Sequence, residues 1–64
     1  MNIGQVIAQN RKNKGLSQID VAKELGRFDI HVGNAAISAW EKGINMPTAQ
    51  QFLALCQILE INDI

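Results

Sequence analysis

The stretch GLSQIDVAKELG, residues 15–26, decides the fold that we predict for this chain. Gly15 is typical of the left-handed residue that ends a helix, and Ser17 is typical of the N-cap that begins the next one. Apolar residues then recur at helical spacing on one face, and Gly26 closes the segment; this stripe consists of Val21, Ala22 and Leu25. The stretch therefore predicts a turn that leads into a short amphipathic helix.

Three further helices are predicted around this segment. The first runs from about Ile3 to Lys14, and the third from about Asn34 to Lys42, where Gly43 ends it. Pro47 prevents the third helix from continuing, and Thr48 with Gln51 forms a capping box that begins a fourth helix. The apolar stripe of this fourth helix consists of Phe52, Leu55, Cys56 and Leu59. Since no segment requires a sheet, the predicted fold is all-α, a small bundle of four to five helices.

The connection between the second and third helices is long. Turns in this kind of helix pair usually take three or four residues, whereas residues 27–33 make up seven. Phe28, Ile30 and Val32 alternate with polar residues, which predicts a short extended piece with one side on the core. We expect this piece to cover Ile19, which points outward from the second helix.

Composition limits the classes of function. The 64 residues form one domain, no apolar run approaches the length of a membrane span, and the single Cys56 suits a reducing cytoplasm. There is no net charge, but residues 1–45 carry all six basic residues against four acids, a surplus of +2. Paired carboxylates, a thiol–His pair and a phosphate loop are missing from the sequence, which predicts no enzyme, no metal and no cofactor.

Short motifs along the chain, in their order and spacing, are similar to those of a known family: Ile3-Gly4-Gln5, Arg11-Lys12, residues 14–18, Val21-Ala22, Leu25-Gly26, Ile37-Ser38, residues 40–43 and Pro47-Thr48. From about residue 3 to residue 62, the chain resembles the lambdoid phage repressor, or XRE-type, helix-turn-helix family. The resemblance implies a domain that binds double-stranded operator DNA as a homodimer and regulates transcription, most often as a repressor.

The same resemblance implies roles for individual residues. Four residues on the outward face of the third helix match the positions that read base edges: Asn34, Ala35, Ser38 and Ala39. The positions that contact DNA phosphates are matched by Gln18, Lys42, Ile44 and Asn45, and the longer turn adds Arg27. Arg11 and Glu41 resemble a structural ion pair that ties the first helix to the third. Residues 27–31 depart from the family pattern and look inserted.

Two alternatives stay open at this point. Zero net charge and the alanine-rich face favour a protein-interaction module of the same fold, such as an antitoxin or an anti-repressor partner. The apolar residues near the end of the chain pack on a fifth helix or form a dimer interface; they are Leu53, Ile58, Ile61 and Ile64. We also expect residues 1–64 to be the N-terminal part of a longer regulator, with a C-terminal sensing or dimerisation domain.

Overall fold

Four helices make up the fold in the computed structural model, which describes residues 2–62. They are α1 (Ile3–Asn13), α2 (Gln18–Gly26), α3 (Asn34–Lys42) and α4 (Ala49–Leu59). Within the described range every regular element is a helix, which confirms the predicted all-α class. None of the four helices is long and apolar enough to cross a membrane.

Side chains cap the start of three helices. Ser17 accepts a hydrogen bond from the backbone N–H of Asp20 at 3.0 Å, and the Asp20 carboxylate accepts one from the Ser17 N–H at 2.9 Å. The predicted box at the start of α4 has the same reciprocal geometry, and a further box, which was not predicted, joins Asn2 to Gln5. Only α3 begins without a side-chain cap, because its N-cap is Gly33.

The four helices end in one common way. After each helix a residue adopts a left-handed conformation, and these residues are Gly15, Asp29, Gly43 and Glu60, with φ of 71°, 62°, 77° and 55°. The next residue donates its N–H to a carbonyl five positions back, which is the Schellman motif. That next residue is apolar each time: Leu16, Ile30, Ile44 and Ile61. Leu16, Ile30 and Ile61 pack on the core, whereas Ile44 is 70% exposed.

The core lies where α1 and α2 each pack against both α3 and α4. Its members are nearly inaccessible to solvent, and they are Val6, Ile7, Val21, Leu25, Ile30, Ile37, Trp40, Ala54, Leu55, Leu59 and Ile61. Most of these follow the predicted stripes, since apolar side chains at helical spacing fall on one face. Phe52 and Cys56 are half-buried at the edge of this core.

The connection after α2 differs in part from the prediction. The chain stays in tight turns through Asp29, because Phe28 donates its N–H to the Leu25 carbonyl at 2.9 Å and Asp29 donates to Gly26 at 3.0 Å. The turns therefore end at Ile30, which is buried, and residues 30–33 form no regular element. Phe28 is exposed instead of packed. The prediction that this connection covers Ile19 is also wrong, since that side chain is 56% exposed.

The apolar residues near the end of the chain do not behave alike. Ile61 is buried against the core, Ile58 is half-buried, and Leu53 is 67% exposed on α4. Ile64 lies outside the described residues. Leu53 and Phe28 line one shallow groove beside α4, and its other lining residues are Ile30, Gln50, Ala54 and Gln57.

Candidate nucleic-acid interface

An ion pair joins the end of α1 to the last turn of α3. Arg11 donates from Nε to Glu41 Oε2 at 2.6 Å and from Nη2 to Oε1 at 3.1 Å, a two-point contact. Its Nη1 donates to the backbone carbonyl of Leu16 at 2.8 Å, which also fixes the turn before α2. The two side chains are 13% and 9% exposed, so the pair is largely withdrawn from water. The structure thus brings together the two residues to which the sequence assigns a structural ion pair.

The surroundings of this pair favour its charged form. Burial by itself raises the pKa of Glu41, but the hydrogen bonds from Arg11 and Gln18 outweigh burial and hold the pKa below its ordinary value of 4.5. The hydrogen bonds that Arg11 donates to Glu41 likewise raise the pKa of Arg11. Both groups are ionised near neutral pH, and their charges cancel within the pair.

Gln18 is the first residue of α2, and its side chain reaches the same carboxylate. Its Nε2 donates to Glu41 Oε1 at 3.1 Å, across 23 positions of sequence. This contact places the start of α2 beside the last turn of α3. The family resemblance assigns Gln18 to a DNA phosphate alone and does not predict this contact, because no local pattern links residues so far apart.

Four neighbouring positions on the outward face of α3 carry small, uncharged side chains. Asn34 and Ala35 are exposed, and Ser38 and Ala39 are half-buried, while Ile37 and Trp40 point into the core. There is no acidic residue in the first turn of α3, so the positive end of the helix dipole is uncompensated there. The four predicted base-contacting residues therefore share one uncharged, accessible strip of helix.

Lys42, the last residue of α3, and the residues after it contribute unequally to this surface. Lys42 and Asn45 are exposed, with side chains free to donate hydrogen bonds outward. The backbone N–H groups of Ile44 and Asn45 both point at the Ala39 carbonyl, at 2.9 Å and 3.4 Å. The N–H of Ile44 is already hydrogen-bonded, and its side chain is apolar. Ile44 can therefore donate no hydrogen bond to a DNA phosphate and can make only apolar contacts with the DNA backbone.

Arg27 lies apart from the other predicted phosphate-contacting residues. It follows the last residue of α2 and lies nine positions beyond Gln18. At a rise of 1.5 Å per residue, the two are about 14 Å apart along the helix axis. Its guanidinium is mostly exposed and lies 3.7 Å from the Glu24 carboxylate. Beyond it, His31 contacts Asp29 at 3.0 Å on the open surface.

Comparison with known protein families decides what kind of domain this is. The family model described as helix-turn-helix matches residues 7–62, which is most of the chain. The chain belongs to the XRE-type helix-turn-helix family. It is a DNA-binding regulator of that type, and α2 and α3 form the helix-turn-helix motif. No curated protein and no solved structure matches the chain significantly.

The helix-turn-helix domain also depends on Gly4, for which the sequence motifs predict no role. A β-carbon at Gly4 would lie 2.5 Å from the Trp40 carbonyl oxygen and 2.8 Å from that of Glu41. The absence of a side chain therefore lets α1 approach the last turn of α3 closely. Only the position of Gly4 on the apolar face of α1 pointed to this contact in the sequence.

Proposed function

We propose that this helix-turn-helix domain belongs to a bacterial or phage transcription regulator, a repressor that binds an inverted-repeat operator as a dimer. The observation that carries the proposal is the small, uncharged and accessible face of α3. An α-helix fits the major groove of B-DNA, and small side chains let it approach the base edges closely. Asn34 is suited to a bidentate contact with adenine, and the two alanines are suited to contact with thymine methyl groups.

Donors at one end of α3 support the same proposal. Gln18 contacts Glu41 in the last turn of α3, and Lys42 is the final residue of the same helix. Asn34 begins α3, about 12 Å from Lys42 at 1.5 Å per residue. Phosphate contacts at one end and base contacts along the face are the arrangement that orients such a helix on duplex DNA.

The size of the domain is compatible with a dimer on DNA. Its extents are 28 × 23 × 21 Å, so two copies side by side can place their α3 helices about 34 Å apart, one turn of the duplex. Each copy would read one half of an inverted repeat, in the compartment that holds the DNA. Two linked half-sites also compensate for the few base contacts that each copy makes.

Selection from a randomised duplex library at low salt, followed by sequencing of the bound pool, tests this proposal. We expect an enriched inverted repeat whose half-sites lie about one helical turn apart. A pool identical to the input would contradict operator binding. A single enriched half-site without its repeat would contradict the dimer alone.

Two alanine variants of this domain separate base reading from general folding. Asn34→Ala removes the amide on the α3 face, and Gln57→Ala is the matched control, an exposed amide on α4. We expect Asn34→Ala to lower discrimination at one base pair of each half-site by about 1–3 kcal/mol. Gln57→Ala should bind the selected sequence as the native chain does.

One observation favours a second candidate, a protein-interaction module. The groove beside α4 is lined by uncharged residues and exposes Phe28 and Leu53. Apolar surface of this kind is typical of protein–protein contacts. For such a module, Leu53→Gln would abolish binding of the protein partner, and Asn34→Ala would have no effect.

A further inference from the structure

The side-chain amide of Gln18 has one of its two N–H groups committed within the protein. Nε2 donates to Glu41 Oε1 at 3.1 Å, and the side chain is half-buried. The second N–H of the same nitrogen has no acceptor among residues 2–62. Because the amide is planar, fixing one N–H also fixes the direction of the other.

Glu41 is a rigid anchor for this amide. Two hydrogen bonds from Arg11 hold its carboxylate, and the carboxylate is almost entirely buried. Its position along α3 is set in turn by the close approach of Gly4 to the Glu41 carbonyl. A side chain that donates a hydrogen bond to such a group loses its rotamer freedom when the protein folds, before any ligand arrives.

Electrostatics permit a phosphate to approach beside this carboxylate. An unpaired carboxylate next to a DNA phosphate would repel it, but the Arg11 charge cancels that of Glu41 at 2.6 Å. The backbone N–H groups of Gln18 and Ile19, at the start of α2, are also without acceptors in the described part of the chain. Several donors therefore lie together at a locally neutral surface.

We propose that Glu41 is a positioning residue for DNA binding, which holds the Gln18 amide so that its free N–H is directed at a phosphate. This rests on the proposed function, because Gln18 must contact DNA for its orientation to matter. The Arg11–Glu41 pair then has two tasks: it joins α1 to α3, and it orders a phosphate-binding side chain on α2.

A double-mutant cycle on the selected operator duplex tests the coupling. The four chains are the native one, Glu41→Gln, Gln18→Met and the double variant; methionine matches glutamine in length but donates no hydrogen bond. We expect Glu41→Gln to weaken binding about fivefold in the native background and less than about twofold in the Gln18→Met background. A matched cycle with Lys42→Met should be additive, since among the described residues no hydrogen bond or ion pair joins the Lys42 side chain to that of Glu41.

The outcomes of the cycle separate the two proposals. An equal loss from Glu41→Gln in both backgrounds would overturn the positioning role and leave DNA binding intact. No binding by the native chain would overturn the proposed function, and the positioning role would fall with it. Thermal unfolding of all four chains shows that each is folded at the temperature of the binding assay.

A measurement on the native chain keeps the inference testable if Glu41→Gln does not fold. Nuclear magnetic relaxation of side-chain amides reports their order, and exposed Gln57 is an internal control. We expect the Gln18 amide to have an order parameter near that of rigid backbone, about 0.85, and the Gln57 amide to fall below about 0.6. Equal mobility of the two amides would overturn the proposal whatever the DNA assay shows.

Discussion

The carbonyl oxygen of Trp40 lies 2.5 Å from the place that a β-carbon would occupy at Gly4. This is well inside the contact distance of two non-bonded heavy atoms, so no other amino acid fits there without a shift of α1 or α3. The same two helices carry Arg11 and Glu41, which pair at 2.6 Å. Gly4 is therefore part of the frame that supports the candidate interface.

Gly4→Ala should destabilise the domain. The added methyl group meets two backbone oxygens, and overpacking of this kind costs about 1–3 kcal/mol of unfolding free energy. Urea unfolding followed by circular dichroism measures the change. Gly26→Ala is the control, because a β-carbon there meets nothing within 4 Å and its φ is not positive. That variant should gain about 0.4–1 kcal/mol, since alanine restricts the unfolded chain.

Asp29→Gly should stabilise the domain. Asp29 adopts a φ of 62°, a left-handed conformation that costs a residue with a β-carbon roughly 1–2 kcal/mol and glycine almost nothing. We expect a net gain of up to about 1 kcal/mol, because glycine also loses more backbone entropy on folding. The rise in the midpoint of thermal unfolding reports it. An equal rise for Asp29→Ala would show that backbone strain is not the cause.

Two leucines on α4 should respond to truncation by very different amounts. Leu55 is fully buried, so Leu55→Ala should cost about 2–5 kcal/mol of unfolding free energy through the cavity that it leaves. Leu53 is 67% exposed, and Leu53→Ala should change the free energy by no more than about 0.5 kcal/mol. Chemical denaturation of both variants measures the difference. A large loss from Leu53→Ala would show that the groove beside α4 is closed in solution.

Acid should destabilise the domain through Glu41. The folded state holds the pKa of this carboxyl below 4.5, so below about pH 4.5 the unfolded chain takes up a proton that the folded chain does not. The stabilisation is complete above that pH and is lost as pH falls through the folded pKa. Hydrogen bonds from Ser17 and from Lys14 lower the pKa of Asp20 and of Glu60, which adds in the same direction.

Urea unfolding between pH 3 and pH 7 measures this effect. The free energy of unfolding should be nearly constant at the upper end of that range and fall at the lower end. Glu41→Gln should be less stable at neutral pH and show a shallower decline on acidification, since one linked proton is removed. An unchanged slope in that variant would assign the decline to the other carboxyls.

DNA binding should weaken steeply with salt, because each neutralised phosphate releases counterions. Lys42→Met should lower the slope of log affinity against log salt by about one unit and weaken binding evenly across sequences. Binding measured at several salt concentrations, on the selected operator and on an unrelated duplex, gives both quantities. A change confined to the operator would place Lys42 against a base instead of a phosphate.

The sequence alone determined the helices and most of their ends. Ser17, Thr48, Gly15 and Gly43 act through bonds to backbone groups within a few residues, so their effect is visible in a short window of sequence. Apolar spacing identified most of the core for the same reason. The family resemblance, carried by the order of such local signals, is confirmed over residues 7–62.

The tertiary structure decided the features that join distant parts of the chain. The contact of Gln18 with Glu41 and the approach of Gly4 to Trp40 link residues more than 20 positions apart, and no periodicity encodes them. The prediction for Phe28 was wrong because alternation of apolar and polar residues is typical of extended backbone. Consecutive short-range hydrogen bonds and the left-handed conformation of Asp29 instead fold this segment into tight turns. Local hydrogen bonds thus shaped each helix, and packing between helices determined which side chains meet at the candidate interface.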